Sequence, residues 1–191
     1  MTTNILLCGV GGQGTLLAGN LISECAMVAG FDVKKSEVHG MAQRGGSVVS
    51  HVRFGKVVHS PLIRKGEGDI LLAFEQLEAL RWAEFIKPKG TIIVGTQKIL
   101  PMTVSAGNAV YPGDIITTLE KMSFHVTAVD ALETAKGLGN AKCVNVVLLG
   151  LLANQLGKIE KEIWLEVLED KIPQKLLELN MKAFEAGWVM A

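Results

Sequence analysis

The chain has 191 residues, of which 49% are hydrophobic, and its 19 basic and 19 acidic residues cancel. A protein that holds nucleic acid through its electrostatic field needs a net basic surface, so the balanced charge argues against that class of partner. The length favours a single domain over residues 1–191 with a sizeable hydrophobic core.

A glycine loop lies near the start of the chain, between a predicted strand and a predicted helix. Residues Ile5–Cys8 form a short apolar run, which is typical of a strand covered on both faces. The helix is predicted to begin at Gly14 and to end near Ala29, and a second strand begins at Phe31. These elements predict a βαβ unit, the Rossmann-like context in which a glycine loop binds an anion.

The loop itself has the spacing of a phosphate-binding turn. The first glycine allows a tight turn, the second allows the backbone to approach a ligand, and the third allows the helix to pack on the sheet. The free N–H groups and partial positive charge of the helix N-terminus suit an anion. The candidate binding residues here are Gly9, Gly11, Gly12, Gln13, Gly14 and Thr15.

Three interpretations of this loop remain open from the sequence. A Walker-type loop is excluded because no Lys-Ser or Lys-Thr follows Gly14. A dinucleotide enzyme needs an acid near the end of the second strand, where Glu37 lies, but no third βαβ strand follows. The other two interpretations are the phosphate of an acyl carrier or nucleotide, and a tight turn with a purely structural role.

A second polar segment, Ser36–Gly46, is predicted to be a loop at the end of a strand. Ligands bind at this edge of an open α/β sheet, although a solvated loop is the alternative. Arg44, which precedes two glycines, is the best partner for a carboxylate or phosphate because its guanidinium donors form a planar fork. The candidate binding residues in this segment are Glu37, His39, Gln43, Arg44, Gly45 and Gly46.

The rest of the chain alternates strands with helices. Residues 47–54 alternate in polarity and turn at Gly55-Lys56 into 57–59, which predicts a β-hairpin. We predict an open mixed, mainly parallel sheet with helices on both faces and this hairpin inserted. The later predicted strands are 69–74, 91–94 and 124–129, and the predicted helices are 76–85, 114–122, a short one from 131, 141–156 and 161–190 with a break at Pro173.

Two of the predicted helices are apolar around most of their circumference, the one that follows Gly14 and the one that follows Lys142. A helix of this kind must be buried on all sides. Either the sheet and the C-terminal helices of the chain itself cover it, or a second subunit does.

The sequence offers no self-contained catalytic or metal site. The three cysteines are widely spaced without a CxxC pair, and the four histidines lack metal-type spacing. Glu75 and Glu78 are predicted to lie on the solvated face of one helix.

The most apolar helical stretch, Val144–Ala153, is about half the length that a membrane span requires, and no charged leader precedes the first strand. We therefore expect a cytoplasmic protein with no membrane partner.

The glycine loop and the EVHGMAQRGG segment together resemble a known family. Residues 9–14, followed by 36–53, are similar to the gamma-type subunits of the 2-oxoacid:ferredoxin oxidoreductases, and most similar to those of the indolepyruvate enzymes. The likeness is firm over residues 5–94 and looser beyond. The indolepyruvate assignment depends mostly on residues 37–47, because gamma subunits for 2-oxoglutarate or branched-chain 2-oxo acids share the fold and the glycine loop but carry a different second segment. The alternative is a gamma subunit for another 2-oxo acid, which is pyruvate, 2-oxoglutarate or a branched-chain acid.

The resemblance implies that the chain works as part of a larger enzyme. Such an enzyme oxidatively decarboxylates an aryl pyruvate to the acyl-CoA and passes electrons to ferredoxin. Thiamine diphosphate and the 4Fe–4S clusters then belong to a large alpha subunit, this chain holds no cofactor alone and is inactive alone, and it closes the site or receives the CoA phosphates. A free-standing nucleotide-binding module is the alternative, and the apolar helices leave a homodimer of the isolated chain open.

Overall fold

The computed structural model describes residues 2–39 and 45–191, with His39 described by its backbone only. Its strands are β1 (Thr3–Val10), β2 (Asp32–His39), β3 (Ser47–Gly55), β4 (Gly68–Ala73), β5 (Ile86–Gly95) and β6 (His125–Val129). Its helices are α1 (Thr15–Val28), α2 (Gln76–Trp82), α3 (Met102–Ser105), α4 (Ile115–Lys121), α5 (Ala131–Gly137), α6 (Val144–Leu156), α7 (Lys161–Lys171) and α8 (Gln174–Trp188). Among these described helices, none has both the length and the apolar character that crossing a membrane would need.

The strands form one sheet in the order β2-β3-β1-β4-β5-β6. β1, β4, β5 and β6 run parallel, whereas β3 runs antiparallel to both of its neighbours, β1 and β2. The prediction of a mixed, mainly parallel α/β sheet is confirmed. β2 is parallel to β1 and reached through α1, but β3 lies between them.

Helices cover both faces of the sheet, as the sequence predicted. Ile5 and Leu7 of β1 point to a core shared with α1 and α5–α8, and Leu6 and Cys8 point to a second core shared with α2 and α4. This alternation explains the unbroken apolar run in β1, because a strand buried on both faces needs an apolar side chain at every position.

The predicted partner of β3 in the hairpin is wrong. Residues 57–59 do not form a strand, because β2 and β1 already occupy both hydrogen-bonding edges of β3. The Val58 N–H instead donates to Asp32 Oδ2 at 2.7 Å, and Arg53 Nη1 donates to the carbonyls of Ser60 and Leu62 at 3.0 Å each. The hairpin of this fold is therefore β2–β3.

The loop predicted over residues 36–46 does not begin at residue 36. Residues 36–39 belong to β2, where Ser36 pairs with His51 and Glu37 pairs with Ser50. Their polar character misled the prediction, because an edge strand with one solvated side carries polar residues without losing its ladder. Lys35 and Glu37 form an ion pair at 2.7 Å on this strand.

The chain itself buries the apolar helix α6. All of its residues except Asn154 and Gln155 are buried, and α8 is in close contact with it. A Cβ built on Gly150 would lie 2.9 Å from the Trp188 nitrogen, and one built on Gly187 would lie 3.0 Å from the Leu151 nitrogen. The two helices thus meet backbone to backbone through facing glycines. The other apolar helix, α1, is less completely buried, since Met27 and Val28 at its C-terminal end are half-exposed.

Candidate functional site

The glycine loop connects the end of β1 to α1 and has left-handed backbone at two positions. Gly12 has φ of +102° and Gly14 has φ of +81°, values that a residue with a side chain rarely adopts. Gly14 has a second reason to be glycine, because a Cβ there would lie 2.9 Å from Asn145 Cγ. Gly12 differs in that nothing lies within 4 Å of its Cβ position. The loop is therefore tightly packed at Gly14 and open at Gly12.

Gln13 folds back onto the strand ends instead of pointing outward. Its Oε1 accepts from the Val10 N–H at 2.8 Å, and its Nε2 donates to the Phe74 carbonyl at 2.9 Å and to Gln97 Oε1 at 3.2 Å. Gly9 makes room for it, since a Cβ there would lie 2.9 Å from Gln13 Oε1. Gln13 thus joins the ends of β1, β4 and β5 and fixes the shape of the loop.

The N-terminus of α1 offers unused hydrogen-bonding groups. The helix has no side-chain cap and no acid in its first turn. Thr15 is 3% exposed, and its Oγ1 has no hydrogen-bond partner within the part of the chain that the structure describes. Free N–H groups at a helix start and a free hydroxyl are the groups that bind an oxyanion.

Two hollows flank the glycine loop and share Gly12 and Gly14. The first, which we call the apolar hollow, has a volume of about 490 Å³ and is lined by Gly11, Gly12, Gly14, Thr15, Leu16, Leu17 and Val48. The second, which we call the polar hollow, has a volume of about 370 Å³ and is lined by Gly12, Gln13, Gly14, Gln97, Leu132, Ala141, Lys142, Val144 and Asn145. The loop is therefore a ridge between a hollow lined by aliphatic side chains and a hollow whose aliphatic lining also includes amide side chains and Lys142.

The second polar segment reaches the glycine loop only in part. The Gly11 N–H donates to the Gly46 carbonyl at 2.8 Å, which places Gly45 and Gly46 beside the loop. Glu37 lies farther away on β2, because β3 separates β2 from β1. This position does not match the acid of a dinucleotide site, which stands on the strand next to the first one. Gln43 and Arg44 lie outside the described residues, as does the side chain of His39.

Glu75 is buried, which corrects the prediction of a solvated face. It is 1% exposed and caps α2, with Oε2 accepting from the Glu78 N–H at 3.0 Å. Its Oε1 accepts from the Ile99 N–H at 3.1 Å and from Tyr111 Oη at 2.5 Å. The prediction failed because the segment between β5 and α4 covers this helix, and helical spacing carries no information about such a covering segment. Burial and the Glu75 carboxylate raise the pKa of Tyr111.

Glu78 is buried beside it and makes a different set of contacts. Its carboxylate accepts from Ser47 Oγ, at the start of β3, and from Arg81 Nε at 3.1 Å. Burial and then the charges of Glu78 and Glu75 raise the pKa of Cys8. That thiol therefore stays protonated and behaves as a core residue, as its place in an apolar run predicts.

The sequence prediction missed Lys142 and Asn145, which the fold brings to the glycine loop. They lie about 130 residues away in the chain, at the start of α6, so loop spacing gave no sign of them. One local signal was present: Asn145 interrupts the apolar run of a helix that is buried on all sides. A buried amide in such a run needs a hydrogen-bonding partner.

Comparison with known proteins gives matches along the whole chain. Residues 4–189 match the family described as pyruvate ferredoxin/flavodoxin oxidoreductase. The indolepyruvate oxidoreductase subunit IorB of Archaeoglobus fulgidus is 42% identical and aligns over 100% of this chain and 96% of its own length. The IorB subunit of Thermococcus kodakarensis is 40% identical, over 96% of this chain and 93% of its own.

A solved structure has the same fold. The gamma subunit of keto/oxoacid ferredoxin oxidoreductase from Geobacter sulfurreducens superimposes with a TM-score of 0.75 at 27% identity. The superposition covers 99% of this chain and 98% of that one. The similarity in sequence and in fold therefore extends over almost the whole chain.

Proposed function

Because the chain belongs to the pyruvate ferredoxin/flavodoxin oxidoreductase family and is a small subunit of such an enzyme, we propose that its holoenzyme oxidises indolepyruvate and related aryl pyruvates. The observation that supports this substrate is the nearly full-length similarity to two indolepyruvate oxidoreductase subunits. The reaction is an oxidative decarboxylation in the cytoplasm that yields the acyl-CoA, with ferredoxin as electron acceptor. Residues 1–191 act in it as one gamma-type domain.

The large partner subunit supplies thiamine diphosphate and the 4Fe–4S clusters in this proposal. The residues of this chain do not fit a cluster, because Cys8, Cys25 and Cys143 are all buried. No group of three His, Cys, Asp or Glu side chains among the described residues is placed to hold a metal ion. Burial raises the pKa of Cys25 to about 12, which disfavours the thiolate that a metal ligand must be.

The contribution of this chain is to bind the CoA co-substrate at the glycine loop. The uncapped N-terminus of α1, the free Thr15 hydroxyl and the open position at Gly12 support this role. Phosphate oxygens accept hydrogen bonds from such groups, and the helix dipole favours their charge.

The substrate proposal is tested with the assembled enzyme. The chain is copurified with its large partner, and ferredoxin reduction is measured with aryl, branched-chain and dicarboxylic 2-oxo acids in the presence of CoA. We expect the highest kcat/KM for aryl pyruvates and no activity from the isolated chain. A preference for 2-oxoglutarate or a branched-chain acid would assign the subunit to another member of the family.

The CoA role is tested at Gly12, where a side chain has room. Gly12→Asp places a carboxylate where we expect phosphates, so the KM for CoA should rise about tenfold or more, which corresponds to about 1.4 kcal/mol of binding free energy. Gly12→Asn is the matched control, because it has the same shape and the same tolerance of positive φ without the charge. An unchanged KM for CoA in Gly12→Asp would contradict the role.

A further inference from the structure

We infer that the segment between β5 and α4, residues 99–113, is a surface on which the large partner subunit docks. We call this segment the strap, and it contains the short helix α3. The inference rests on the proposed function, in which the large subunit carries thiamine diphosphate and this chain binds CoA.

The strap exposes large apolar side chains. Met102 is 82% exposed, Val110 is 90% exposed and Leu100 is 53% exposed. All four residues of α3 are at least partly exposed, although a helix this short depends on packing for its stability. Single exposed apolar residues are ordinary, whereas several within one short segment mark an interaction surface.

The strap also carries no charged side chain. Its 15 residues include no Lys, Arg, Asp, Glu or His, although 20% of the whole chain is charged. A loop that is only solvated usually carries charges, whereas the core of a protein–protein interface is depleted of them. The composition therefore favours a segment that another subunit covers.

One buried carboxylate holds both ends of the strap. Glu75, which is 1% exposed, accepts from the Ile99 N–H at 3.1 Å and from Tyr111 Oη at 2.5 Å. Just before the strap, Gln76 Nε2 donates to the Thr96 carbonyl at 2.6 Å. The exposed residues thus extend from a fixed frame, so that docking loses less conformational entropy than it would on a free loop.

The strap lies at the same edge of the sheet as the glycine loop. β1, β4 and β5 run parallel, so the segments that follow β1 and β5 leave the sheet at one edge. Gln97 Oε1, two residues before the strap, accepts from Gln13 Nε2 of the glycine loop at 3.2 Å. Leu100 of the strap and Val10 at the end of β1 line one hollow of about 100 Å³.

This position favours the large subunit as the occupant of the surface. In the proposed function the thiol of CoA, bound at the glycine loop, has to reach the subunit that carries thiamine diphosphate. That subunit must therefore approach the edge of the sheet where the strap lies. A second copy of this chain in the same place would stand between the coenzyme and the thiamine.

The test measures how tightly the assembled holoenzyme holds together. The holoenzyme is diluted, and the fraction that stays assembled is measured by mass photometry to give the Kd for the small subunit. Met102→Asp and Val110→Asp should each raise this Kd about tenfold or more, because each places an unpaired charge in an apolar interface. The thermal midpoint of the isolated chain should not change, since both side chains are exposed in it.

Two control variants separate the surface from the substitution. Val57→Asp makes the same change at a valine that is 56% exposed. Val57 follows the end of β3, which lies beside the start of β1 and therefore at the opposite edge of the sheet. This variant should leave the Kd unchanged. Met102→Leu keeps the apolar surface, so its Kd should stay within about twofold of that of the unaltered enzyme.

Three outcomes would overturn the inference. The first is an unchanged Kd in the double variant Met102→Asp/Val110→Asp. The second is an equal rise in Kd for Val57→Asp, which would mean that the effect is not specific to the strap. The third is a dimer of the isolated chain that the double variant abolishes while the Kd for the large subunit stays the same, because a second copy would then be the occupant.

Failure of the proposed function would give a different result. Gly12→Asp is assayed through the KM for CoA at concentrations where assembly is complete, whereas the strap variants are assayed through the Kd. If Gly12→Asp leaves the KM for CoA unchanged while the strap variants raise the Kd, the coenzyme role is wrong and the docking surface is supported. If Gly12→Asp raises the KM while the strap variants leave the Kd unchanged, the docking surface is wrong and the coenzyme role is supported.

Discussion

Gly187→Ala is expected to destabilise the protein by about 3 kcal/mol or more, because the added methyl group has no space. Its Cβ would overlap the Val147 carbonyl and lie 2.8 Å from the Val147 carbonyl carbon. These are backbone atoms of α6, which cannot rotate away as a side chain can. The helices would have to separate, which would open the core around Trp164 and Phe184. Gly150→Ala, on the facing helix, should have a similar effect for the same reason.

Gly137→Ala is the matched control for this prediction. Gly137 is the last residue of α5, and nothing lies within 4 Å of its Cβ position. Replacing it should be neutral or stabilise the protein by up to about 1 kcal/mol, through the lower entropy of the unfolded chain. Urea unfolding of the variants gives the comparison. Equal free energies of unfolding for Gly187→Ala and Gly137→Ala would show that the two helices are not in the close contact described.

Glu75→Leu is expected to cost about 3 kcal/mol or more, because it leaves three donors without their acceptor, at about 1 to 3 kcal/mol for each buried group. The donors are the N–H groups of Glu78 and Ile99 and the hydroxyl of Tyr111. Tyr111→Phe removes one of these three hydrogen bonds and also the one that Tyr111 Oη accepts from the Leu77 N–H at 3.2 Å, so it should cost about 2 kcal/mol. Denaturant unfolding of both variants measures the difference.

A spectroscopic titration of Tyr111 separates the effect of the Glu75 carboxylate on its pKa from the effect of burial. The chain has one tyrosine, so its phenolate absorbance reports Tyr111 alone. Burial and then Glu75 raise the pKa of Tyr111, and in Glu75→Gln the pKa should fall while remaining above the ordinary value because the burial persists. The same titration curve in Glu75→Gln and in the unaltered chain would mean that the carboxylate does not contact this hydroxyl.

The elements that the sequence predicted well are those whose pattern is local. The apolar run in β1, the start of α1 after Gly14 and the break at Pro173 each follow from a few adjacent residues. The pairing of β3 did not follow from adjacent residues. Alternation of side chains shows that a strand exists, but it gives no information about which strands lie beside it. The β-branched residues Val57 and Val58 favour a strand, but β1 and β2 occupy both edges of β3.

Of the candidate site, the part set by local backbone geometry was predictable from the sequence, and the part set by tertiary packing was not. The glycine loop is visible in the sequence because its spacing is set by backbone geometry within six residues. Lys142 and Asn145 were not predictable from that spacing, since only the packing of α6 against the sheet brings them to Gly14. Glu75 was misjudged because the solvation of a helix face depends on a segment that starts more than twenty residues later, at Ile99.

The direction of β3 determines how the chain returns from β2 to the glycine loop. Because β3 runs against β1, it begins at the edge where β1 ends, and Gly46 reaches Gly11 without a helical crossover. A parallel strand in this place would need a crossover of about a dozen residues or more. Eight residue pairs hold the register of β2 with β3. The cross-strand pairing therefore supplies the link from the end of β2 back to the glycine loop that a helix would otherwise have to supply.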